Sequence, residues 1–213
     1  MTAAAANKQE QLWRSEFGDA YIDRNAVADT HLAALTRSWT RILASTLGRP
    51  PKTIFEGGAN IGLNLRALRR LTDARFLALE PNTKARQRLL DDQIVEPGDV
   101  IDGLLSGIDL PDGAADLSFT SGVLIHVPPR DLLASVSELV RVSRRYVVCI
   151  EYFADKPVEV PYRGQTEALF KRDFGGFYLE HFPELRVLDY GFLWKPMSGL
   201  DNLTWQLFEK DVR

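Results

Sequence analysis

Residues 56–62 (EGGANIG) form the segment whose residue types could most readily bind a ligand. Glycine lets a backbone turn sharply and approach a ligand closely, because it has no Cβ. Asn60 stands where such turns often carry glycine, and asparagine tolerates a positive φ better than most residues do. The segment follows an apolar run at 53–55 and precedes a helical pattern. It predicts a ligand-binding turn that uses Gly58, Asn60 and Gly62; a tight turn without a ligand is the alternative.

An acidic residue, Glu80, ends the second predicted strand, 18 residues beyond Gly62. A carboxylate at that place can accept both ribose hydroxyls of an adenosine ligand. A pyrophosphate at the helix N-terminus would disfavour an acid before the turn, yet Glu56 opens it. Glu56 suits instead the cationic amino group of S-adenosylmethionine (SAM), directly or through water. The pattern therefore predicts SAM rather than NAD, and the lack of a Walker lysine excludes a P-loop.

Further cofactor contacts are expected after the second, third and fourth strands. Ligands of open α/β sheets bind beyond the carboxyl ends of the strands. Asp102, Gly103 and Leu104 follow the third strand, where a backbone N–H and a side-chain acceptor would select adenine. A simple turn is the alternative for Asp102. Asn82 and Ser121 are also predicted contacts, and Arg24 of the N-terminal segment is predicted to bind the cofactor as well.

Two residues are the candidates for catalysis. Methyl transfer from a sulfonium needs no acid, and it needs a base only when the nucleophile carries a proton. His126 follows the fourth strand, and the ordinary pKa of histidine near 6.5 suits a base; packing against the loop at 128–129 is the alternative. Glu151 follows the fifth strand and could act as a base or bind an amine. Its alternative is a helix cap or a solvated loop acid, and His31 is expected on a helix face or at the surface.

Basic and aromatic residues predict the acceptor site. Arginine prefers planar oxyanions, which it binds through paired hydrogen bonds. The hypothesis is therefore a small anionic acceptor, such as an acidic sugar, a carboxylate or a natural-product intermediate. A solvated surface is the alternative for Lys171 and Arg172, and Arg24 or Tyr21 could instead bind the carboxylate of SAM. The predicted acceptor residues are Arg14, Tyr21, Tyr152, Tyr162, Arg163, Lys171 and Arg172.

Alternating strands and helices would position these residues. Apolar residues recur at helical spacing within 32–47, 61–68, 84–90 and 132–140. Strands separated by helices imply right-handed βαβ units and a parallel sheet. The run at 146–150 is apolar throughout, as expected of a strand buried on both faces. The predicted strands are 53–55, 76–79, 100–101, 117–120 and 146–150.

The C-terminal part breaks this alternation with two β-rich runs, 185–194 and 203–209, joined by a turn around 196–201. They predict an antiparallel hairpin, which plain NAD-binding Rossmann domains lack. The expected fold class is α/β: a Rossmann-like three-layer sandwich with a mostly parallel seven-stranded sheet and a C-terminal antiparallel hairpin. A single domain is expected over 1–213, with a helical lid at 1–48 and an acceptor-lid insertion at 154–183.

Composition limits the classes of partner. The 213 residues carry a net charge of −3, which gives no reason to expect broad binding to nucleic acid or anionic membranes. No apolar run approaches a membrane span, the N-terminus lacks the features of a signal peptide, and a cytoplasmic protein is expected. Cys149 is the one cysteine, so no intrachain disulfide can form, and a buried thiol is expected rather than a reactive one. No metal site is predicted.

Several sequence blocks together resemble a known family. They are 13–25 (WRSEFGDAYIDRN), 58–64 (GANIGLN), 122–126 (GVLIH), 141–143 (RVS), 162–164 (YRG), 170–174 (FKRDF) and 201–205 (DNLTW). These blocks resemble the methylases associated with pseudaminic acid biosynthesis, within the class I SAM-dependent methyltransferases. The resemblance covers nearly the whole chain and implies a methyltransferase that works near sugar or secondary-metabolite pathways. It does not settle the acceptor.

The function expected from the sequence is SAM-dependent methylation of an oxygen or nitrogen of a small, anionic metabolite, by a monomer or homodimer. The alternative is a non-catalytic protein with this fold that binds SAM or a partner. An RNA or protein methyltransferase is disfavoured, because residues 120–123 (TSGV) carry no Asn-Pro-Pro-Tyr motif and no basic domain is appended.

Overall fold

The computed structural model describes residue 11 and residues 13–24, 27–161 and 169–211. Two sheets are formed within these ranges. The strands are β1 Thr53–Gly57, β2 Arg75–Leu79, β3 Val100–Ile101, β4 Ala115–Ser121, β5 Ser143–Glu151, β6 Val158–Glu159, β7 Phe170–Lys171, β8 Leu185–Leu193 and β9 Leu203–Lys210. The larger sheet has seven strands in the order β3-β2-β1-β4-β5-β9-β8, and β6 and β7 form a separate ribbon.

Helices cover both faces of the larger sheet. Leu132, Val136, Leu139 and Val140 are buried at helical spacing, and they form the apolar face of the longest helix on their side. Short 3₁₀ helices at Pro97–Asp99 and Leu124–His126 complete the connections. The α-helices are α1 Glu16–Arg24, α2 Asp29–Ala44, α3 Leu63–Leu68, α4 Thr83–Asp91, α5 Pro129–Val142, α6 Phe174–His181 and α7 Lys195–Ser198.

The hydrophobic core lies in two layers, one on each face of the sheet. Trp39 of α2, Leu65 of α3 and Leu89 of α4 belong to one layer. The other layer includes Leu139 of α5 and Tyr178 of α6. Strand β5 contributes alternate side chains to the two layers, which explains why its sequence is apolar throughout. Three layers of helix, sheet and helix result.

Parallel pairing extends from β3 to β5, and the last two strands run antiparallel. Residues Ile54 and Leu117 are register partners in β1 and β4, while Ile150 of β5 pairs with Trp205 of β9. Strand β9 in turn pairs with β8, so the predicted C-terminal hairpin is present. The predicted fold class is therefore confirmed. Cys149 is buried, as expected, and no helix of the described ranges has the length and apolarity needed to span a membrane.

Candidate functional site

A cavity of about 640 Å³ lies at the carboxyl edge of the parallel strands. Glu56 comes from the end of β1, Glu80 follows β2, Ser121 ends β4 and Tyr152 follows β5, and all four line this cavity. The region just before α1, helix α2 and the turn between β8 and β9 also contribute to its wall. This is the edge at which open α/β sheets bind their ligands.

The glycine turn has the left-handed backbone that its sequence predicts. Asn60 has a φ of 49° and Gly58 has a φ of 75°. A Cβ on Gly58 would lie 2.8 Å from the side chain of Val123, so only glycine fits between the turn and that side chain. Gly62, at φ 74°, caps α3, and a Cβ there would lie 2.6 Å from Leu89. Gly58 and Asn60 therefore line the cavity, whereas Gly62 shapes the turn by packing against α4.

Glu56 belongs to a buried chain of hydrogen bonds. Trp39 Nε1 donates to Asn64 Oδ1 at 3.1 Å, and Asn64 Nδ2 donates to Glu56 Oε1 at 2.8 Å. The other oxygen, Oε2, is buried without a hydrogen-bond partner among the described residues. Burial raises the pKa of Glu56 well above its ordinary value, the charge of Glu80 raises it further, and the Asn64 hydrogen bond opposes both. One acceptor atom of the cavity wall is thus available to an additional donor.

Glu80 holds the glycine turn against the start of α4. Its Oε2 accepts the Asn60 N–H at 2.7 Å, and its Oε1 accepts the Asn82 N–H at 2.9 Å. Burial raises the pKa of Glu80, and the two backbone hydrogen bonds lower it in part. A carboxylate oxygen has room for a second hydrogen bond, so both oxygens can still accept a ligand hydroxyl.

Asn82, predicted as a cofactor contact, lines the cavity but has its amide engaged by the protein. Its Oδ1 accepts the Ala85 N–H at 3.0 Å and caps α4. Its Nδ2 donates to Trp13 O at 3.0 Å and to Asp19 Oδ1 at 2.9 Å. The side chain thus connects the N-terminal segment to the mouth of the cavity.

Two of the three predicted adenine contacts line the cavity in the structure. Gly103 and Leu104 line the cavity. Asp102 is not among the described residues that do so, because its carboxylate binds Arg14 at 2.8 Å and Arg86 at 3.0 Å. Arg14, a predicted acceptor residue, is thus paired with a residue that follows the third strand.

His126 lies in the short helix Leu124–His126 and lines the cavity. The ring of Trp13 meets the imidazole edge-on, with 5.0 Å between the ring centroids. His126 is 9% exposed, and its side chain lies in the cavity wall. Its role as a base stays a prediction.

Glu151, the second catalytic candidate, points elsewhere. It is 1% exposed and is not among the described residues that line the cavity. Its Oε1 accepts the N–H groups of Val123 at 3.1 Å and Leu124 at 3.0 Å. Burial raises the pKa of Glu151 to about 7, and the backbone hydrogen bonds oppose that shift. The side chain of Glu151 caps the short helix that carries His126. This is the alternative role, a helix cap, and not that of a base in the cavity.

The far side of the cavity holds a second polar group. Tyr152 Oη donates to Asp201 Oδ2 at 2.6 Å, and Lys195 Nζ lies 3.0 Å from Asp201 Oδ1. These two hydrogen bonds lower the pKa of Asp201. Lys171 Nζ lies 4.9 Å from the centroid of the Tyr152 ring, at a distance suited to a cation–π contact.

The other predicted acceptor residues lie apart from this group or outside the described residues. Arg172 packs over the ring of Phe177, with 4.2 Å from its guanidinium carbon to the ring centroid, and it lines a separate shallow pocket. Tyr162 and Arg163 fall outside the described residues, and the side chains of Tyr21 and Arg24 do so as well.

Sequence reasoning missed several residues of the cavity wall. His31 was expected on a helix face or at the surface, but it lines the cavity together with Trp13, Trp39, Asn64 and Asp201. These residues come from segments that are distant in sequence. They reach the same cavity because α2 and the turn between β8 and β9 both contribute to its wall. The aromatic side chains at 13 and 39 were the available signal, since a buried indole N–H needs an acceptor.

Comparison with known proteins adds to this geometry. No family model matches the sequence, and no curated protein matches it. A structure of 1,6-didemethyltoxoflavin-N1-methyltransferase from Burkholderia thailandensis, with bound S-adenosylhomocysteine, is similar at a TM-score of 0.70 and 18% identity over 99% of this chain and 93% of that one. A structure of magnesium protoporphyrin IX methyltransferase from Synechocystis PCC 6803, with bound SAM, is similar at a TM-score of 0.68 and 12% identity, over 98% of this chain and 100% of that one.

A third similar structure is the [4+2]-cyclase SpnF, with a TM-score of 0.67 and 11% identity over 100% of both chains. Identities this low establish a common fold and leave the reaction open. The strand order, the antiparallel hairpin and these similarities agree with one another. This chain therefore has the Rossmann-like fold of the class I SAM-dependent methyltransferases.

Proposed function

We propose that this protein is a SAM-dependent methyltransferase that modifies an oxygen or nitrogen of a small metabolite. The observation that carries the proposal is the buried, unpartnered Oε2 of Glu56 in the wall of the cavity. A buried carboxylate oxygen without a donor is costly, so a site that keeps one is suited to a ligand that brings a donor. The amino group of SAM is such a donor, and a pyrophosphate is not.

The other residues of this wall fit the same cofactor. Asn60 Oδ1 is a second buried acceptor without a partner among the described residues. Glu80 would accept the ribose hydroxyls, and Gly103 and Leu104 would lie against the adenine. When bound, SAM supplies an electrophilic methyl group on a sulfonium. Two of the three similar structures hold SAM or S-adenosylhomocysteine, which supports this choice.

His126 is the residue proposed to move a proton. A hydroxyl or ammonium acceptor must lose its proton before or during the transfer, and a ring nitrogen of His126 would take it. The edge-on contact of Trp13 would restrain the imidazole, and the indole is part of the cavity wall. The protein would thereby align the nucleophile and exclude water.

We propose an anionic acceptor, bound on the side of the cavity that Tyr152 lines. The support is Lys171, which is not among the described lining residues but holds its ammonium group over the ring of Tyr152, which is. Apolar side chains of Leu193, Leu200 and Leu203 would pack against the body of the acceptor on the same side.

The test is titration of the purified protein with S-adenosylhomocysteine, comparing wild type, Glu56→Gln and the exposed control Glu184→Gln. We expect Glu56→Gln to weaken binding at least tenfold, because a neutral amide replaces the carboxylate that would pair with the amino group. Because the pKa of Glu56 is raised in the free protein, binding of the cationic amino group would release a proton, so wild-type affinity should increase with pH until the pKa of the free carboxyl is passed.

The titration also tests the alternative function. Equal affinity of all three proteins, or no binding at millimolar concentration, would exclude the proposed cofactor role of Glu56. A protein that binds the cofactor but transfers no label from SAM to a metabolite extract or to RNA would instead be the non-catalytic SAM-binding protein.

A further inference from the structure

The turn that follows β4 needs hydrogen-bond acceptors for its first N–H groups. Leu124–His126 is a three-residue 3₁₀ helix, and its N-cap, Val123, provides no side-chain cap. The first N–H groups of any helix lack partners within the helix. Glu151, at the end of the neighbouring strand β5, satisfies two of them with one oxygen. The cap is therefore supplied across the sheet, by a residue 27 positions away from Leu124.

Glu151 is separated from the cavity by the turn that it holds. Val123 and His126 line the cavity on the other side of this turn. The titratable groups that act on Glu151 from the elements around it are the Cys149 thiol on β5 and the Tyr178 hydroxyl on α6. Burial raises the pKa of both, so both are neutral at physiological pH; Asp173, before α6, acts on Cys149. The ionisation of the Glu151 carboxyl therefore changes the charge directly behind the turn.

We propose that Glu151 is a positioning residue, whose carboxylate fixes the turn at 122–126 and thereby sets the His126 ring and the Val123 wall of the cofactor site. This inference rests on the proposed function, and it replaces the role of base that the sequence suggested for Glu151. Protonation of Glu151 weakens the hydrogen bonds that it accepts from Val123 and Leu124, because hydrogen bonds to a charged acceptor are about twice as strong as those to a neutral one. Burial raises the pKa of Glu151 to about 7, which brings this change into the physiological range.

The first test uses the amide signals of Val123 and Leu124 in ¹H–¹⁵N spectra recorded from pH 5.5 to 8.5. We expect both signals to titrate with a common midpoint near 7 in the wild type and to stay constant in Glu151→Gln. The Ala74 amide is the control, because it donates to the hydroxyl of Thr72, which does not titrate in this range. Signals that do not move in the wild type, or that still titrate in Glu151→Gln, would overturn the inference.

The second test compares Glu151→Gln, which keeps an acceptor oxygen, with Glu151→Leu, which leaves two buried N–H groups without an acceptor. We expect Glu151→Gln to bind S-adenosylhomocysteine within threefold of wild type, and Glu151→Leu to bind at least tenfold more weakly with a displaced His126 ring signal. The His31 ring signal is the control. Abolished methyl transfer in Glu151→Gln with unchanged cofactor affinity would instead identify a base and contradict the inference.

Two further outcomes are covered by the same pair of tests. If Glu151→Leu does not fold, the amide titration of the wild type and Glu151→Gln still decides. If the wild type does not bind S-adenosylhomocysteine, the proposed function fails, but the amide titration still tests whether Glu151 holds the turn.

Discussion

At the residue scale, the two carboxyl groups on which the proposals depend are both perturbed by burial. Glu56 and Glu151 are both almost fully buried, and the pKa of each is raised. Each has one buried oxygen without a hydrogen-bond partner among the described residues, but Glu56 lines the cavity, whereas Glu151 lies behind the turn and accepts two backbone N–H groups with its other oxygen. Two acids at the ends of parallel strands of one sheet, with β4 between them, thus have different surroundings and different roles.

Glu151 lowers the stability of the fold at high pH. An unfolded glutamate titrates near 4.5, whereas the folded one titrates at about 7. Between these values the folded state binds one proton more, so the free energy of unfolding decreases as the pH rises, by about 3 kcal/mol in total. We expect Glu151→Gln to unfold at a higher urea concentration than wild type at pH 8, with little difference at pH 5.

The matched control for that measurement is Glu184→Gln, at an exposed position before β8. It should leave the urea midpoint unchanged at both pH values. A Glu151→Gln variant that is less stable than wild type at pH 8 would contradict this prediction. It would mean that the hydrogen bonds to the charged carboxylate stabilise the fold by more than the burial of its charge destabilises it.

At the scale of elements, α1 is fastened to the sheet by a few side chains at the cavity mouth. Asn82 donates to Trp13 O and Asp19 Oδ1 while its own oxygen caps α4. A Cβ on Gly18 would lie 2.1 Å from Trp13 O, so this segment has little room for adjustment. Because Trp13 lines the cavity, we expect release of a bound ligand to require this connection to loosen.

Asn82→Asp separates the two roles of this side chain. Aspartate keeps the oxygen that caps α4, but it lacks the N–H donors that hold Trp13 and Asp19 and it repels Asp19. We expect little loss of the cap contribution and at least a fivefold faster release of S-adenosylhomocysteine, measured by stopped-flow tryptophan fluorescence. Asn82→Ala should release it equally fast and lose about 1 kcal/mol more stability. An unchanged release rate in both variants would mean that α1 does not control access.

The elements themselves were largely predictable, whereas these connections were not. The apolar run at 146–150 and the helical spacing at 132–140 predict β5 and α5 because both patterns are local. The role of Asn82 depends on Trp13 and Asp19, which lie 69 and 63 residues away in sequence. No local pattern encodes such a contact, so the sequence identified Asn82 as part of the site without indicating what it binds.

At the scale of the whole molecule, fold and reaction are separate questions. The same architecture is found in two methyltransferases and in a [4+2]-cyclase, each with less than 20% identity to this chain. The mostly parallel sheet and the terminal hairpin were predictable from the alternation of strands and helices and its break at the end, whereas the strand order came from the structure. The side of the cavity proposed for the acceptor was harder to predict, because Asp201, Lys195 and Tyr152 come together only when the hairpin pairs with β5.

The choice between SAM and NAD can be tested on the intact protein without knowledge of the acceptor. A ligand that binds only the folded state at one hundred times its Kd stabilises it by about 2.7 kcal/mol. For a chain of this length that corresponds to an increase in Tm of roughly 5–10 °C. We expect S-adenosylhomocysteine to produce this shift in a thermal unfolding scan and adenosine to produce a smaller one. NAD at the same concentration should produce none, because its pyrophosphate would face the acid that opens the glycine turn. A shift with NAD as large as that with S-adenosylhomocysteine would contradict the assignment of the cofactor and leave the fold unaffected.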